Sequence, residues 1–224
     1  MKNLISPAVK LRNKGFTIVE LLIATAVFSF ILLVVTTGII RLGNMYYKGV
    51  ISSRTQESIR NIVSETSSAI QFAQSSKVLN SNVVQSANNG SFCFGDTRYT
   101  YFLDSKYTKG LESTSGLYAE ELQPGSACNS GSDRVVRAKQ MLGQNMRLLV
   151  FTVDSVSGSS DKMWRVSVKV AYGDNDLLTH YDNSGNALPN PNLTDVRCKS
   201  GVAGSSFCST AQLDTIIKKR LNNT

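Results

Sequence analysis

Glu20 is the residue that most needs a chemical explanation, because it is the single charged residue in the apolar run 16–40. A carboxylate is costly at the centre of a bilayer, and acids that occur in such runs usually have a partner or a function. Gly15 and Phe16 precede this acid at the head of the run. Ion pairing is the chemistry that suits a lone acid on an apolar helix.

The cysteines form the second set of reactive side chains, at Cys93, Cys128, Cys198 and Cys208. All four follow the apolar run, and an even number of cysteines beyond a membrane segment indicates an oxidising compartment and two disulfides. A zinc site is the alternative, but zinc calls for closely spaced cysteine pairs or histidines, and His180 is the sole histidine. We expect no cofactor or metal, and we favour the pairs Cys93–Cys128 and Cys198–Cys208 over the other two connectivities.

The remaining polar residues do not predict catalysis. His180 is alone, and no Ser-His-Asp or Cys-His arrangement follows from the spacing, so we expect a protein that is not an enzyme. Asp182, Ser184 and Asn186 alternate oxygen donors, as calcium loops do. The glycine of such a loop is misplaced and no terminal glutamate follows, so the pattern favours a solvated loop.

Basic charge is concentrated before the apolar run, and the chain carries a formal net charge of +8. Removing residues 1–15 leaves 20 Lys and Arg against 16 Asp and Glu, a net charge of +4. The basic residues before the run are Lys2, Lys10, Arg12 and Lys14. A basic tract beside an apolar segment indicates the cytoplasmic side of a membrane span rather than a nucleic-acid partner.

Aromatic and basic residues alternate around residues 98–109, a mixture that can bind single-stranded nucleic acid. They are Arg98, Tyr99, Tyr101, Phe102, Lys106, Tyr107 and Lys109. A strand with one face in the core explains the same pattern, and we favour that interpretation.

The apolar run is long enough to cross a membrane. Its 25 residues would span about 37 Å as a helix, against a hydrocarbon core of roughly 30 Å. A cleaved secretory signal is the alternative, since Ala24, Thr25 and Ala26 form a small-residue site. The short apolar stretch before that site, and the long one after it, favour a retained span.

Residues 14–24 read Lys-Gly-Phe-Thr-Ile-Val-Glu-Leu-Leu-Ile-Ala, and this segment resembles the processing site of type IV prepilins and pseudopilins. The resemblance implies a leader of residues 1–15, cleavage after Gly15 by a prepilin peptidase, and methylation of the new N-terminus at Phe16. It also implies that Glu20 is the assembly acid. The partners would be that peptidase, other pilin or pseudopilin subunits, and the inner membrane before assembly.

Cleavage before Phe16 would leave an ammonium group one helical turn from Glu20, on the same face. In a bundle of such helices, Glu20 of one subunit can pair with the new amine of its neighbour. An unpaired charge in an apolar bundle is costly, and membrane helices lack a hydrophobic drive to associate. The pair would therefore select the axial register of the subunits.

The residues after the run predict an amphipathic helix over 41–76 and a β-rich domain over 77–224. Apolar residues recur at spacings of three and four, which marks one face of a helix. These residues are Ile59, Ile62, Val63, Thr66, Ile70 and Ala73. The alternative is two helices with a break near Gly43 or Gly49.

The predicted strands cover residues 98–103, 117–122, 146–156, 163–172 and 213–221. The segment 163–172 alternates apolar and polar residues, which predicts a half-buried strand, and 173–206 reads as loops. We expect an α+β fold, with a long N-terminal helix, transmembrane and then an amphipathic stalk, packed on an antiparallel β-sheet. The type IV prepilin resemblance implies the same pilin-like architecture.

The resemblance extends to the role of the protein. The helix lacks the late proline of many major pilins, which favours a minor pilin or pseudopilin. Leu117-Tyr118, Phe207-Cys208 and residues 215–220 resemble the larger minor pilins of the W/J-like class. We expect a single-pass membrane protein with an extracytoplasmic domain that joins, primes or caps an extracellular filament. A major pilin, or a tip adhesin or DNA-uptake subunit on the same scaffold, is the alternative.

Overall fold

The computed structural model describes residues 15–73, 89–107, 115–123, 126, 134–156, 163–181 and 195–220. These residues form one long α-helix followed by antiparallel β-sheets, which confirms the predicted α+β class. The chain divides into two compact units, residues 1–44 and 45–224.

The helix α1 spans Ile18–Phe72. The strands are β1 (Asn89–Phe94), β2 (Thr97–Phe102), β3 (Gly116–Leu122), β4 (Val135–Gln140), β5 (Met146–Ser155), β6 (Met163–Tyr172), β7 (Leu178–Tyr181), β8 (Asp195–Cys198) and β9 (Ser209–Lys218). The first sheet has the order β1-β2-β3-β4, the second β5-β6-β9, and β7 pairs with β8. The single sheet expected from the sequence is therefore divided into three within the described residues.

The part of α1 in the first unit exposes its apolar side chains along its whole length. It belongs to a helix that is long and apolar enough to cross a membrane. Its hydroxyl groups donate back to the helix: Thr25 Oγ1 to the Leu22 carbonyl at 3.0 Å, and Ser29 Oγ to the Thr25 carbonyl at 2.8 Å. These polar side chains therefore need no partner from outside the helix in an apolar medium.

The helix runs without interruption through Gly43 and Gly49, so the alternative of two helices is wrong. A Cβ atom at either glycine would meet no atom within 4 Å, so packing against a neighbour does not require these glycines.

The predicted stripe on the second part of α1 is confirmed as the buried face of the helix. Its buried residues are Ile51, Thr55, Ile59, Ile62, Val63, Thr66 and Ile70. The stripe packs into one core with aromatic residues of the first sheet, such as Tyr99, and with Val166 and Val168 of the second. The helix therefore shares one core with the first and second sheets.

Strand β1 was not predicted, because Asn89 and Gly90 read as the end of a loop. Gly90 pairs with Tyr101 across β1 and β2, and the Tyr101 ring lies over it. A Cβ atom at residue 90 would stand 2.5 Å from Tyr101 Oη, so the strand requires glycine there. Tyr99 and Tyr101 are buried in the core, as the core-strand interpretation proposed.

Strand β6 is found where it was predicted, but its second half is buried on both faces. Val166, Val168 and Val170 face the main core, while Ala171 packs with Leu178 in a second apolar cluster. Strands β7 and β8, which lie in the region 173–206 predicted as loops, form the layer that covers this second face of β6. The prediction of a half-buried strand was wrong there because sequence alternation does not reveal a second covering layer.

The end of α1 is closed by the end of β9. The last turn of the helix has no basic residue, and its terminal carbonyls need donors. The Arg220 amide donates to the Gln71 carbonyl at 3.1 Å, and Lys218 and Lys219 precede it. This contact joins the end of α1 to the segment after β9, and cations near the end of a helix complement its dipole.

Candidate functional site

The candidate site lies at the start of α1, where Thr17 and Glu20 bond reciprocally. The Glu20 Oε2 atom accepts from the Thr17 amide at 2.9 Å and from Thr17 Oγ1 at 2.8 Å. The Glu20 amide donates to Thr17 Oγ1 at 3.3 Å. A threonine and a glutamate three positions apart that exchange these bonds form a capping box, which satisfies amides at the helix start.

This role of Thr17 was not predicted, although the pattern Thr-x-x-Glu before an apolar run is visible in the sequence. The capping box gives Glu20 a local function in addition to the intersubunit pairing expected from the prepilin resemblance. It also fixes the start of the helix at Ile18, so Gly15, Phe16 and Thr17 lie in a non-helical segment.

The bond between Gly15 and Phe16 is open to its surroundings. Phe16 is 86% exposed, and a Cβ atom at Gly15 would meet no atom within 4 Å. Among the residues described, nothing packs against this bond that a protease would have to displace.

The cysteines are placed largely as expected. Cys198 and Cys208 form a disulfide that joins the end of β8 to the residue before β9, which confirms that predicted pair. Cys93 is buried on β1 and is also in a disulfide. Its predicted partner, Cys128, lies outside the described residues, so the second pairing stays a prediction.

A buried charge in the second unit was not foreseen. The Arg147 guanidinium, 1% exposed, donates to Asp104 Oδ1 at 3.0 Å, to the Gly173 carbonyl at 3.4 Å and to Asn175 Oδ1. These acceptors come from the segment after β2 and the segment after β6. Its partners lie 26 to 43 residues away in the chain, so no local pattern marks them.

This arginine cluster serves structure rather than binding. Beside it, the Asp104 amide donates to the Leu148 carbonyl at 2.7 Å and the Tyr107 amide to the Met146 carbonyl at 2.8 Å. Lys106 pairs with Asp174 at 2.5 Å. Together with the isolated bridges of Leu103 with Leu148 and of Lys106 with Arg147, these bonds tie the segment after β2 to β5 and to the segment after β6.

Two open grooves border α1 in the second unit. One, of about 430 Å³, contains the exposed ion pair of Glu65 with Lys139, 2.5 Å apart. The other, of about 610 Å³, is lined by Ser67 and Gln71 of α1 and by residues 215–220. The described residues contain no group of three or more His, Cys, Asp or Glu able to hold a metal.

The candidate calcium loop lies mostly outside the described residues, since 182–194 are among those not described. The side chain of His180 is not described either. Asp174, at the edge of that region, has its carboxylate on Lys106.

Comparison with known proteins places a family match on the candidate site. The prokaryotic N-terminal methylation motif matches residues 10–36, which include Gly15, Phe16 and Glu20. No curated protein and no solved structure matches the chain. The methylation motif at the head of an apolar helix, with antiparallel sheets after it, is consistent with a type IV pilin-like protein.

Proposed function

We propose that this protein is a minor pilin or pseudopilin: a membrane-anchored, non-enzymatic subunit that is processed and then joins, primes or caps an extracellular filament. The observation that carries the proposal is the methylation motif over residues 10–36, a range that includes Gly15, Phe16 and Glu20. The apolar helix anchors the precursor in the inner membrane, and the second unit lies outside the cytoplasm.

Processing is the first test. We expect a prepilin peptidase to cut between Gly15 and Phe16 on the cytoplasmic side, where the basic leader is held. Mass spectrometry of the mature chain should give a first residue of Phe16 that carries a methyl group. Gly15→Leu is the control: it should stay uncut and fold normally, because Gly15 has open space around it. A mature chain that begins at Val27 would instead mean a secretory signal.

Assembly into filaments is the second test, and the capping box indicates which two variants to compare. In the proposed filament, Glu20 of one subunit pairs with the amine of Phe16 in its neighbour, so the negative charge matters. Glu20→Gln keeps a side chain that suits a capping box but removes the charge, and Thr17→Val removes the hydroxyl but keeps the charge. Incorporation into filaments, measured by immunoblotting of sheared filaments, should fall for Glu20→Gln and persist for Thr17→Val.

The opposite order of incorporation into filaments would contradict the pairing of Glu20 with the Phe16 amine of a neighbour. If Glu20→Gln assembles normally while Glu20→Ala and Thr17→Val do not, the acid acts through the helix start alone. All three variants should insert into the membrane equally, because each leaves the apolar residues of the run 16–40 unchanged.

A major pilin is the alternative on the same scaffold. The layer formed by β7, β8 and the disulfide adds bulk to the second unit, and it favours a subunit used in few copies. Quantitative mass spectrometry of purified filaments distinguishes the two: a minor subunit is far less abundant than the main component.

A further inference from the structure

The second unit exposes three aromatic side chains close together, on the helix and on the disulfide-closed loop. Tyr46 is 71%, Tyr47 53% and Phe207 42% exposed. The ring centroids of Tyr47 and Phe207 lie 5.6 Å apart, and those of Tyr46 and Tyr47 lie 6.0 Å apart. We call Tyr46, Tyr47 and Phe207 the aromatic foot. Contact with the main core does not account for it, because none of the three belongs to that cluster.

Phe207 is held in place by a rigid loop. The Cys198–Cys208 disulfide closes the loop, and within it the Phe207 amide donates to the Gly204 carbonyl at 2.8 Å. The Lys199 amide donates to the Leu177 carbonyl at 2.8 Å, which fixes the start of the loop to the second apolar cluster. An aromatic ring presented outward by so constrained a loop has a defined position for a partner.

The position of the tyrosines along α1 indicates which partner. Tyr46 lies 28 residues after Ile18, a helical path of about 42 Å at about 1.5 Å per residue. A bilayer with its headgroups is about 40–45 Å thick. Tyrosine and tryptophan are enriched where helices leave the membrane, because their rings sit at the level of the headgroups.

We propose that the aromatic foot binds the outer interfacial layer of the cytoplasmic membrane before assembly, so that the Cys198–Cys208 loop is a lipid contact of the second unit. This inference rests on the membrane anchoring in the proposed function. The charge of the segments around the aromatic foot also favours a lipid partner. Residues 41–53 and 199–207 contain the cations Arg41, Lys48 and Lys199 and no acid. Basic residues beside an exposed aromatic surface favour anionic headgroups.

The test uses a tryptophan at residue 207 as a depth probe. The chain has one tryptophan, Trp164, whose buried Nε1–H has no partner among the described residues, so Trp164→Phe leaves no acceptor unpaired. The full-length Trp164→Phe, Phe207→Trp variant is placed in vesicles of phosphatidylethanolamine and phosphatidylglycerol with brominated acyl chains. Its fluorescence should shift to the blue and be quenched about twofold or more, as for an interfacial aromatic ring.

The matched control is Val136→Trp in the same background, because Val136 is 61% exposed on β4. Its fluorescence should not respond to brominated lipid. Equal responses at 207 and 136 would overturn the inference. Phe207→Trp in a chain that keeps Trp164, compared with the unaltered chain, repeats the measurement without the core substitution.

Two further outcomes distinguish a lipid contact from a contact between subunits, and a failure of this inference from a failure of the proposed function. If the tryptophan introduced at position 207 ignores lipid but becomes shielded in purified filaments, the aromatic foot is a contact between subunits and the lipid proposal is wrong. Processing at Phe16 is measured on the same preparations. Normal processing with no lipid contact overturns this inference alone, whereas failed processing counts against the proposed function.

Discussion

At the scale of single residues, Glu20 combines two demands that act at different stages. In the uncut chain its carboxylate accepts two hydrogen bonds from Thr17, so the acid has partners within its own helix. Loss of a helix cap costs about 1 kcal/mol, whereas an unpaired charge in an apolar bundle costs several times more. In the proposed assembly, exchange of the Thr17 contacts for an ammonium group on a neighbouring subunit would therefore be favourable once cleavage supplies that group.

Arg147 gives a prediction at the same scale. Arg147→Met should lower the free energy of unfolding by about 3 kcal/mol, because it removes the partner of Asp104 and Asn175 in a buried cluster. Urea unfolding of the full chain in detergent micelles measures this.

The matched control is Lys106→Met, which breaks a neighbouring ion pair whose side chains are 35% and 65% exposed. Exposed pairs contribute less than about 1 kcal/mol. Equal losses for the two variants would mean that burial of the arginine is not what makes the cluster stabilising.

At the scale of elements, the sequence predicted α1, its buried stripe and the strand β6 because each has a strong period of its own. It predicted β2, β3, β5 and β9 approximately. Strand β4 was not predicted, because its residues are mostly exposed and show no alternation. Strand β1 was not predicted either, because its glycine is explained only by Tyr101 on the next strand. The Arg147 cluster could not be predicted from the sequence either, because its members come together only after three separate segments have packed.

The helix stripe predicts the stability of the second unit. Ile62 of α1 is fully buried in the main core, so Ile62→Ala should cost about 3 kcal/mol through lost contacts and a residual cavity. Ile216→Ala makes the same chemical change on β9, at a side chain that is 57% exposed. Its effect should stay within about 0.5 kcal/mol. A similar loss at both positions, in the same urea titration, would refute the assignment of the stripe as the core face.

At the scale of the whole molecule, the two units have opposite requirements for their surroundings. Residues 15–44 expose apolar side chains throughout, whereas residues 45–224 have apolar clusters of their own. The first unit therefore needs a membrane or a bundle of similar helices, and the second can remain folded in water in either setting.

The response of the folded second unit to alkali follows from its buried tyrosines. Burial, with a smaller contribution from the Glu65 carboxylate, raises the pKa of Tyr99, and burial raises the pKa of Tyr101. The folded state therefore keeps protons that the unfolded chain releases above about pH 10. Stability should be unaffected by these groups below that pH and should fall above it, by up to about 1.4 kcal/mol per pH unit for each tyrosine.

Tyr99→Phe should reduce that alkaline loss, and Tyr46→Phe, at an exposed position, should not. Urea unfolding at about pH 8 and about pH 11 compares the variants with the unaltered chain. A decline in stability that is the same in all three chains would show that other groups cause it.

The pairing of β9 with β6 joins two segments that lie far apart in the chain. Met163 pairs with Lys218 and Tyr172 with Ser209. The central strand of the second sheet, β6, therefore pairs with a strand that follows it by up to 55 residues in the chain. The Arg220 amide, two residues beyond the end of β9, donates to the Gln71 carbonyl at the end of α1.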